Sequence, residues 1–280
     1  MLSYQHSFHA GNHADMLKHI MLGEIVAGMQ HKDSPMFMLD AFAGRGMYDL
    51  NAADALKTRE FDSGVGKIWP IQTSALPAGI TRWQHLVEAE NPDGGFSRLP
   101  GSTAILASML RSKDRLVACD LHPQEFDALR QRLPAHRRFS FHQRDAYEAI
   151  RAFLPPKEKR GLVFLDPSFE NKSEYVNIAK RIQHIYPHFR AGVYVIWYPI
   201  LPAGREQAMF HAFHTSGIRK ILRIELHGHF PDMQMQGSGM LIINPPWHAE
   251  APMRASLAWL HEHLVGQQNG KSCYDWLVPE

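Results

Sequence analysis

Cysteine is nearly absent. The two thiols, Cys119 and Cys273, share no CxxC spacing, so neither a disulfide framework nor a zinc site is expected. Cys119 falls in the apolar run 116–119 and reads as a buried thiol. Long apolar runs are missing too. None reaches about ten residues, and about twenty are needed to cross a bilayer. The opening stretch, MLSYQHSFHAGNHADMLKH, lacks the apolar core of a signal peptide, so a cytoplasmic protein is expected. Neither sign of charge dominates. Thirty Lys and Arg stand against 28 Asp and Glu, a net of +2 with 18 histidines uncounted. That excludes a tail that grips nucleic acid by charge alone, yet permits an anionic partner. What is present is apolar bulk: 45% of 280 residues, enough for one large domain or for one domain carrying an insertion.

Short apolar runs alternate with helix-like segments. The runs are 36–41, 116–119, 139–142, 162–165 and 193–197, each closed by a polar, Gly or Pro break, as buried strands are. Helices are predicted over 102–110, 124–133, 147–153, 174–186 and 205–215. Ser102 and Ser173 are candidate N-caps, and Pro123 suits a first turn. This order predicts an α/β fold with a parallel sheet covered on both faces. Two later runs, 219–226 and 239–244, are joined by a loop and predict an antiparallel pair, which makes seven strands. Residues from about 50 to 98 exceed any usual βα loop and predict an inserted, mainly helical subdomain.

Asp40-Ala41-Phe42-Ala43-Gly44-Arg45-Gly46 follows the first run. Glycines let backbone turn tightly and approach a ligand closely. Alone, two glycines make an ordinary turn. Here three runs end in carboxylates, at Asp40, Asp120 and Asp145. In dinucleotide-type folds the second of these positions holds ribose hydroxyls. The plain alternative for Asp145 is a helix N-cap. Together they predict a crevice at the strand ends for an adenosine-bearing cofactor. No GxGxxG and no Walker lysine is present, so S-adenosylmethionine fits better than NAD or a nucleoside triphosphate.

The fourth run leads into Asp166-Pro167-Ser168-Phe169. This corner resembles the [Asp/Asn/Ser]-Pro-Pro-[Tyr/Phe/Trp] motif of amino-group methyltransferases. The lone pair of an exocyclic adenine amine is delocalised into its ring. A carboxylate and the following carbonyl can each accept one N–H and aim that lone pair. Asp166 can also take the released proton. An aromatic in the fourth place would stack on a flipped base, and proline stiffens the corner. Asp166, Pro167 and Phe169 are therefore the candidate catalytic residues; Ser168 departs from the motif. A closer literal match, Asn244-Pro245-Pro246-Trp247, ends a strand expected to run antiparallel. Its carboxyl end then points away from the crevice, so it reads as a structural exit.

Tyr4, His6, His9, His13, Lys18 and His19 crowd the head of the chain. No HExxH or completing carboxylate accompanies them, so no metal is expected. Together they offer aromatic and cationic groups suited to RNA. The clusters 130–138 and 157–160 fit an RNA track and solvated faces equally.

At this point the whole chain resembles one family. The head LSYxHSFHAGNHADxLKH, Pro100-Gly101-Ser102, the corner at Asp166, Trp197-Tyr198-Pro199, GIRKIL at 217–222 and SGMxxINPPW at 238–247 match the bacterial 23S rRNA (adenine(2030)-N6)-methyltransferases, the RlmJ family. The resemblance implies a Rossmann-like class I methyltransferase, acting as a monomer on protein-free 23S rRNA, with residues 1–20 as a lid. It implies S-adenosylmethionine contacts at His19, Phe42, Ser102, Asp120, Asp145 and Ala146, to which the glycine turn and the corner add Asp40, Gly44 and Asp166 as candidates. It also implies an RNA contact at Tyr4, to which the basic head adds His6 and Lys18 as candidates. Asp120 stands where the family has Glu, Ala146 where it has Gly, and Phe42 where it has His. A DNA adenine methyltransferase would share the corner. A non-catalytic RNA-binding relative would explain the departures at Phe42 and Ser168.

Overall fold

The computed structural model describes residues 5–71, 75–133, 136–228, 230, 235–266 and 268–280. Tyr4 lies outside them. The described residues form ten strands: β1 (Phe37–Asp40), β2 (Met47–Asp49), β3 (Arg98–Pro100), β4 (Arg115–Asp120), β5 (Phe139–Gln143), β6 (Gly161–Leu165), β7 (Val193–Ile200), β8 (Ile221–Gly228), β9 (Gly237–Ile243) and β10 (Gly270–Val278). The helices are α1 (His13–Gln30), α2 (Ala53–Thr58), α3 (Val65–Ile68), α4 (Ala78–Glu90), α5 (Ser102–Ser108), α6 (Pro123–Arg132), α7 (Ala146–Phe153), α8 (Glu174–Ile185), α9 (Glu206–His214) and α10 (Glu250–Leu260).

Eight strands form one sheet in the order β10-β8-β9-β7-β6-β1-β4-β5. From β5 to β7 all neighbours are parallel, and β9, β8 and β10 then pair antiparallel. The predicted α/β, mostly parallel sheet is present. The expected seven strands are eight, because β10 adds an edge along β8. Its residues are buried and exposed without clean alternation, so it carries no period-2 signal. Central strands are buried on both faces, as helix-covered parallel strands must be.

The strand order does one thing for function. Asp40 aligns with Ala118 of β4 and Phe164 of β6, so the carboxyl ends of β1, β4 and β6 meet at one end of the sheet. β9 runs the other way, and Ile243 aligns with Tyr194 near the start of β7. Asn244 therefore sits at the far end. Its amide donates to the Arg190 and Gly192 carbonyls, both at 2.8 Å, so it closes the strand exit as expected.

Every residue of α1 is buried except Ala27 and Gln30. Asn12 caps it, accepting the Ala14 and Asp15 amides at 2.9 and 3.1 Å. Between β2 and β3, an antiparallel pair, lie α2, α3 and α4. Glu24 on α1 binds Arg82 on α4 at 3.1 Å and Ser256 on α10 at 3.0 Å, which ties these three helices together.

Candidate active site at the carboxyl ends of the strands

A cleft of about 270 Å³ opens where the parallel strands end. Its floor is the glycine turn. Gly44 adopts φ +57°, and its amide donates to Asp120 Oδ2 at 2.8 Å. A Cβ on Gly44 would stand 2.6 Å from the Tyr48 hydroxyl, so both the dihedral and the space favour glycine. The second oxygen of Asp120 accepts the His122 amide at 2.8 Å. Burial pushes the Asp120 carboxyl up, against those two amides. Asp145 caps α7, with one oxygen accepting the Tyr147 and Glu148 amides at 2.9 and 3.1 Å. It also lines the cleft, so the cap and the site coincide.

His19, Phe42, Gly44, Ser102, Ala146, Asp166 and Pro167 line this same cleft, as do His6 and Lys18. The structure thus brings together predicted residues as distant in sequence as His6 and Pro167. Two are placed elsewhere. Asp40 is fully buried beneath the wall, where Ser102 and Thr103 hydroxyls donate to its Oδ2, both at 2.7 Å. Burial pushes its carboxyl up to about 6, although those hydroxyls favour the charged form. Phe169 departs from the expected stacking position. Its φ is +54°, it is 6% exposed, and its ring packs 4.4 Å from Tyr175 and 6.0 Å from Trp197. The left-handed turn directs the ring into the core, where it supports the corner from below.

Around Asp166 the first turns of α1 supply a buried ionic chain. Lys18 Nζ lies 2.6 Å from Asp166 Oδ2 and 3.1 Å from Asp15 Oδ1. Asp15 Oδ2 accepts the Gly11 amide at 2.8 Å and lies 2.9 Å from His6 Nε2. Burial alone would raise the Asp15 carboxyl, but the adjoining His6 and Lys18 charges hold it well below the usual range. Burial would also lower the Lys18 ammonium; Asp166 and Asp15 outweigh that and raise it. Lys18 further lies 5.0 Å from the Trp197 ring centroid. His19 is pushed down to about 3 by burial, so it faces the cleft as a neutral ring.

Six carboxylates line the cleft: Asp120, Glu125, Asp145, Asp166, Glu170 and Glu174. Glu125 holds Arg45 through two contacts of 2.9 and 2.5 Å, and Glu174 accepts the Tyr147 hydroxyl. Such a wall suits a cation and repels a phosphate chain.

Comparisons with known proteins now decide the family. Residues 33–278 match the family model described as ribosomal RNA large subunit methyltransferase D, RlmJ. The chain belongs to this family. It is 39% identical to ribosomal RNA large subunit methyltransferase J of Escherichia coli K12 and 40% identical to that of Haemophilus influenzae Rd, over the full length of each. A Legionella pneumophila protein of solved structure superposes with a TM-score of 0.87 at 34% identity, over 96% of this chain and 98% of that one.

Within this family member, sequence reasoning passed over Asp15, Thr103 and the Arg45–Glu125 pair. A signal existed for Asp15. It stands three and four residues before Lys18 and His19, the spacing that shares one helix face. His9 and His13, weighed as metal ligands, diverge. His9 Nδ1 meets Glu60 at 2.7 Å, and His13 stacks on Phe230 at 3.4 Å. Among the described residues no cluster of three His, Cys, Asp or Glu could hold a metal ion, and no helix is long and apolar enough to cross a membrane.

Proposed function

We propose that this chain methylates the exocyclic N6 amine of an adenine in 23S rRNA, with S-adenosylmethionine as methyl donor. One observation carries the reading: Asp166 and Pro167 stand in the wall of a carboxylate-lined cleft beside the glycine turn. The donor set fits the cofactor. S-adenosylmethionine brings a sulfonium and an ammonium, which carboxylates favour, and a ribose and adenine, which need close backbone at Gly44 and acceptors at Asp120 and Asp145. Bound there, it supplies an electrophilic methyl group. His19, Phe42, Ser102 and Ala146 complete its surroundings, and Asp40 anchors Ser102 from beneath.

Asp166 accepts one N–H of the target amine and the Pro167 carbonyl accepts the other, which aims the nitrogen lone pair. Asp166 then takes the proton that the amine loses. Lys18 sits on Asp166 and must yield a share of it to the incoming amine. Phe169 keeps the corner rigid. Tyr4, His6 and Lys18 meet the RNA, residues 1–20 close over the cleft, and residues from about 50 to 98 act as an inserted subdomain. The target is adenine 2030, and the enzyme works as a cytoplasmic monomer on protein-free rRNA. Membership of the family favours rRNA over duplex DNA, and the complete Asp166–Pro167 pair favours catalysis over bare RNA binding.

Transfer of labelled methyl from S-adenosylmethionine to unmodified 23S rRNA, beside duplex DNA, tests the reading. Transfer is expected to the rRNA alone. Asp166→Ala is expected to lower it by about 10²–10⁴-fold with cofactor binding intact, and to lower the unfolding temperature because buried Lys18 then keeps only Asp15. A variant that keeps the wild-type rate removes Asp166 from the mechanism.

A further inference from the structure

The Asn244-Pro245-Pro246-Trp247 motif remains without a role beyond closing a strand. At the end of the sheet opposite the active site, a second, shallower cleft of about 490 Å³ lies beside it. Trp247 is 79% exposed, the most open of the large apolar side chains among the described residues. Its presentation is rigid. Asn244 holds φ +56° and binds two carbonyls, two prolines follow, and Trp247 opens a tight helical turn over 247–249. The corner fixes the backbone that carries the indole.

Basic side chains surround it. His31 and His248 stack face to face at 4.2 Å and 10° beside it. Lys32 and Arg160 line the same cleft, and no carboxylate does, among the described residues. Arg160 donates to the Ser34 carbonyl at 2.9 Å and to Met29 O, so it compensates the end of α1 and keeps its charge. The contrast with the active site is chemical. The methylation cleft is walled by carboxylates and the chain carries a net charge of only +2, so a polyanionic substrate must draw affinity from another surface.

We infer that the Trp247 groove is a second RNA-docking surface: a base of the same rRNA stacks on the Trp247 indole while Lys32 and Arg160 meet its phosphates. An aromatic face with adjacent cations and no acid is the composition that holds single-stranded RNA without reading its sequence. The reach is short. Arg160 precedes β6 and Asp166 follows it, so about 20 Å of strand separates the groove from the reaction. The inference rests on the rRNA reading proposed above.

Methyl-transfer kinetics on whole unmodified 23S rRNA and on a short hairpin carrying the target adenine separate the two surfaces. Trp247→Ala is expected to raise KM for whole rRNA about tenfold. The maximal rate, the cofactor KM and the hairpin KM should stay unchanged, and Trp247→Phe should restore much of the loss. Lys32→Gln should reduce the slope of log affinity against log salt by about one, and Trp247→Ala should leave that slope alone. Added rRNA should also quench the fluorescence that Trp247→Ala lacks. Unchanged KM for whole rRNA in Trp247→Ala, or quenching as large in it as in the wild type, overturns the proposal, including the case in which the groove serves a protein. If the wild type methylates neither RNA, the functional reading fails instead, and the quenching still decides the groove.

Discussion

Asp40 is a carboxylate held where water cannot reach it. Its folded value of about 6 lies above the ordinary aspartate value of 3.8, so ionisation costs the folded state. The stability it contributes is complete below about pH 4 and is lost as pH rises through 6, a change of about 3 kcal/mol. His13 and His19 act in the opposite sense. Burial pushes both down to about 3, so their stability is present above about pH 6.5 and is lost on acidification. Comparing Asp40→Asn with wild type by urea unfolding from pH 4 to 7 isolates the first trend. The advantage of the variant should grow with pH across that range; a flat difference would remove the burial argument. At this scale the strand-end acids were legible because a carboxylate closing an apolar run has few structural reasons to be there. The depth of Asp40 and the inward turn of Phe169 were not. Burial and φ arise from neighbours that are distant in sequence.

Among the elements, α1 was the least legible and is the most consequential. A helix buried all round has no polar face, so it lacks the 3.6-residue alternation by which surface helices are recognised. β10 hid for the opposite reason, as an edge strand with mixed exposure. The buried central strands were read to within about three residues, because β-branched runs between breaks have few other uses. α1 is held by close packing as well as by ions. A Cβ on Gly28 would stand 2.7 Å from Ala249 Cβ and 2.8 Å from its backbone nitrogen. Gly28→Ala must separate α1 from the turn over 247–249, and a loss of about 1–3 kcal/mol is expected in chemical denaturation. No loss would mean the two elements yield freely. At the start of the helix, Asn12→Ala should cost about 1 kcal/mol through the lost cap, read in the same assay.

For the whole molecule, the sheet works as a partition. Its carboxyl ends gather acids from β1, β4, β5 and β6, and its other end gathers cations around Trp247. Cofactor that binds only the folded chain should stabilise it by about 2.7 kcal/mol at a hundredfold excess over its dissociation constant, seen as a rise in unfolding temperature. Asp166→Ala should keep that rise, while a variant that breaks the glycine turn should lose it. The Lys18–Asp166 contact also bears on which amines react. On the function proposed above, the acceptor for the adenine amine is already engaged by an ammonium fixed to the same chain. Lys18 is thus an internal competitor at constant effective concentration. A free nucleoside brings little energy to displace it, whereas an RNA anchored at several points brings enough. Free adenosine is therefore expected to accept far less labelled methyl than rRNA at equal concentration, and equal transfer would remove this competition from the account.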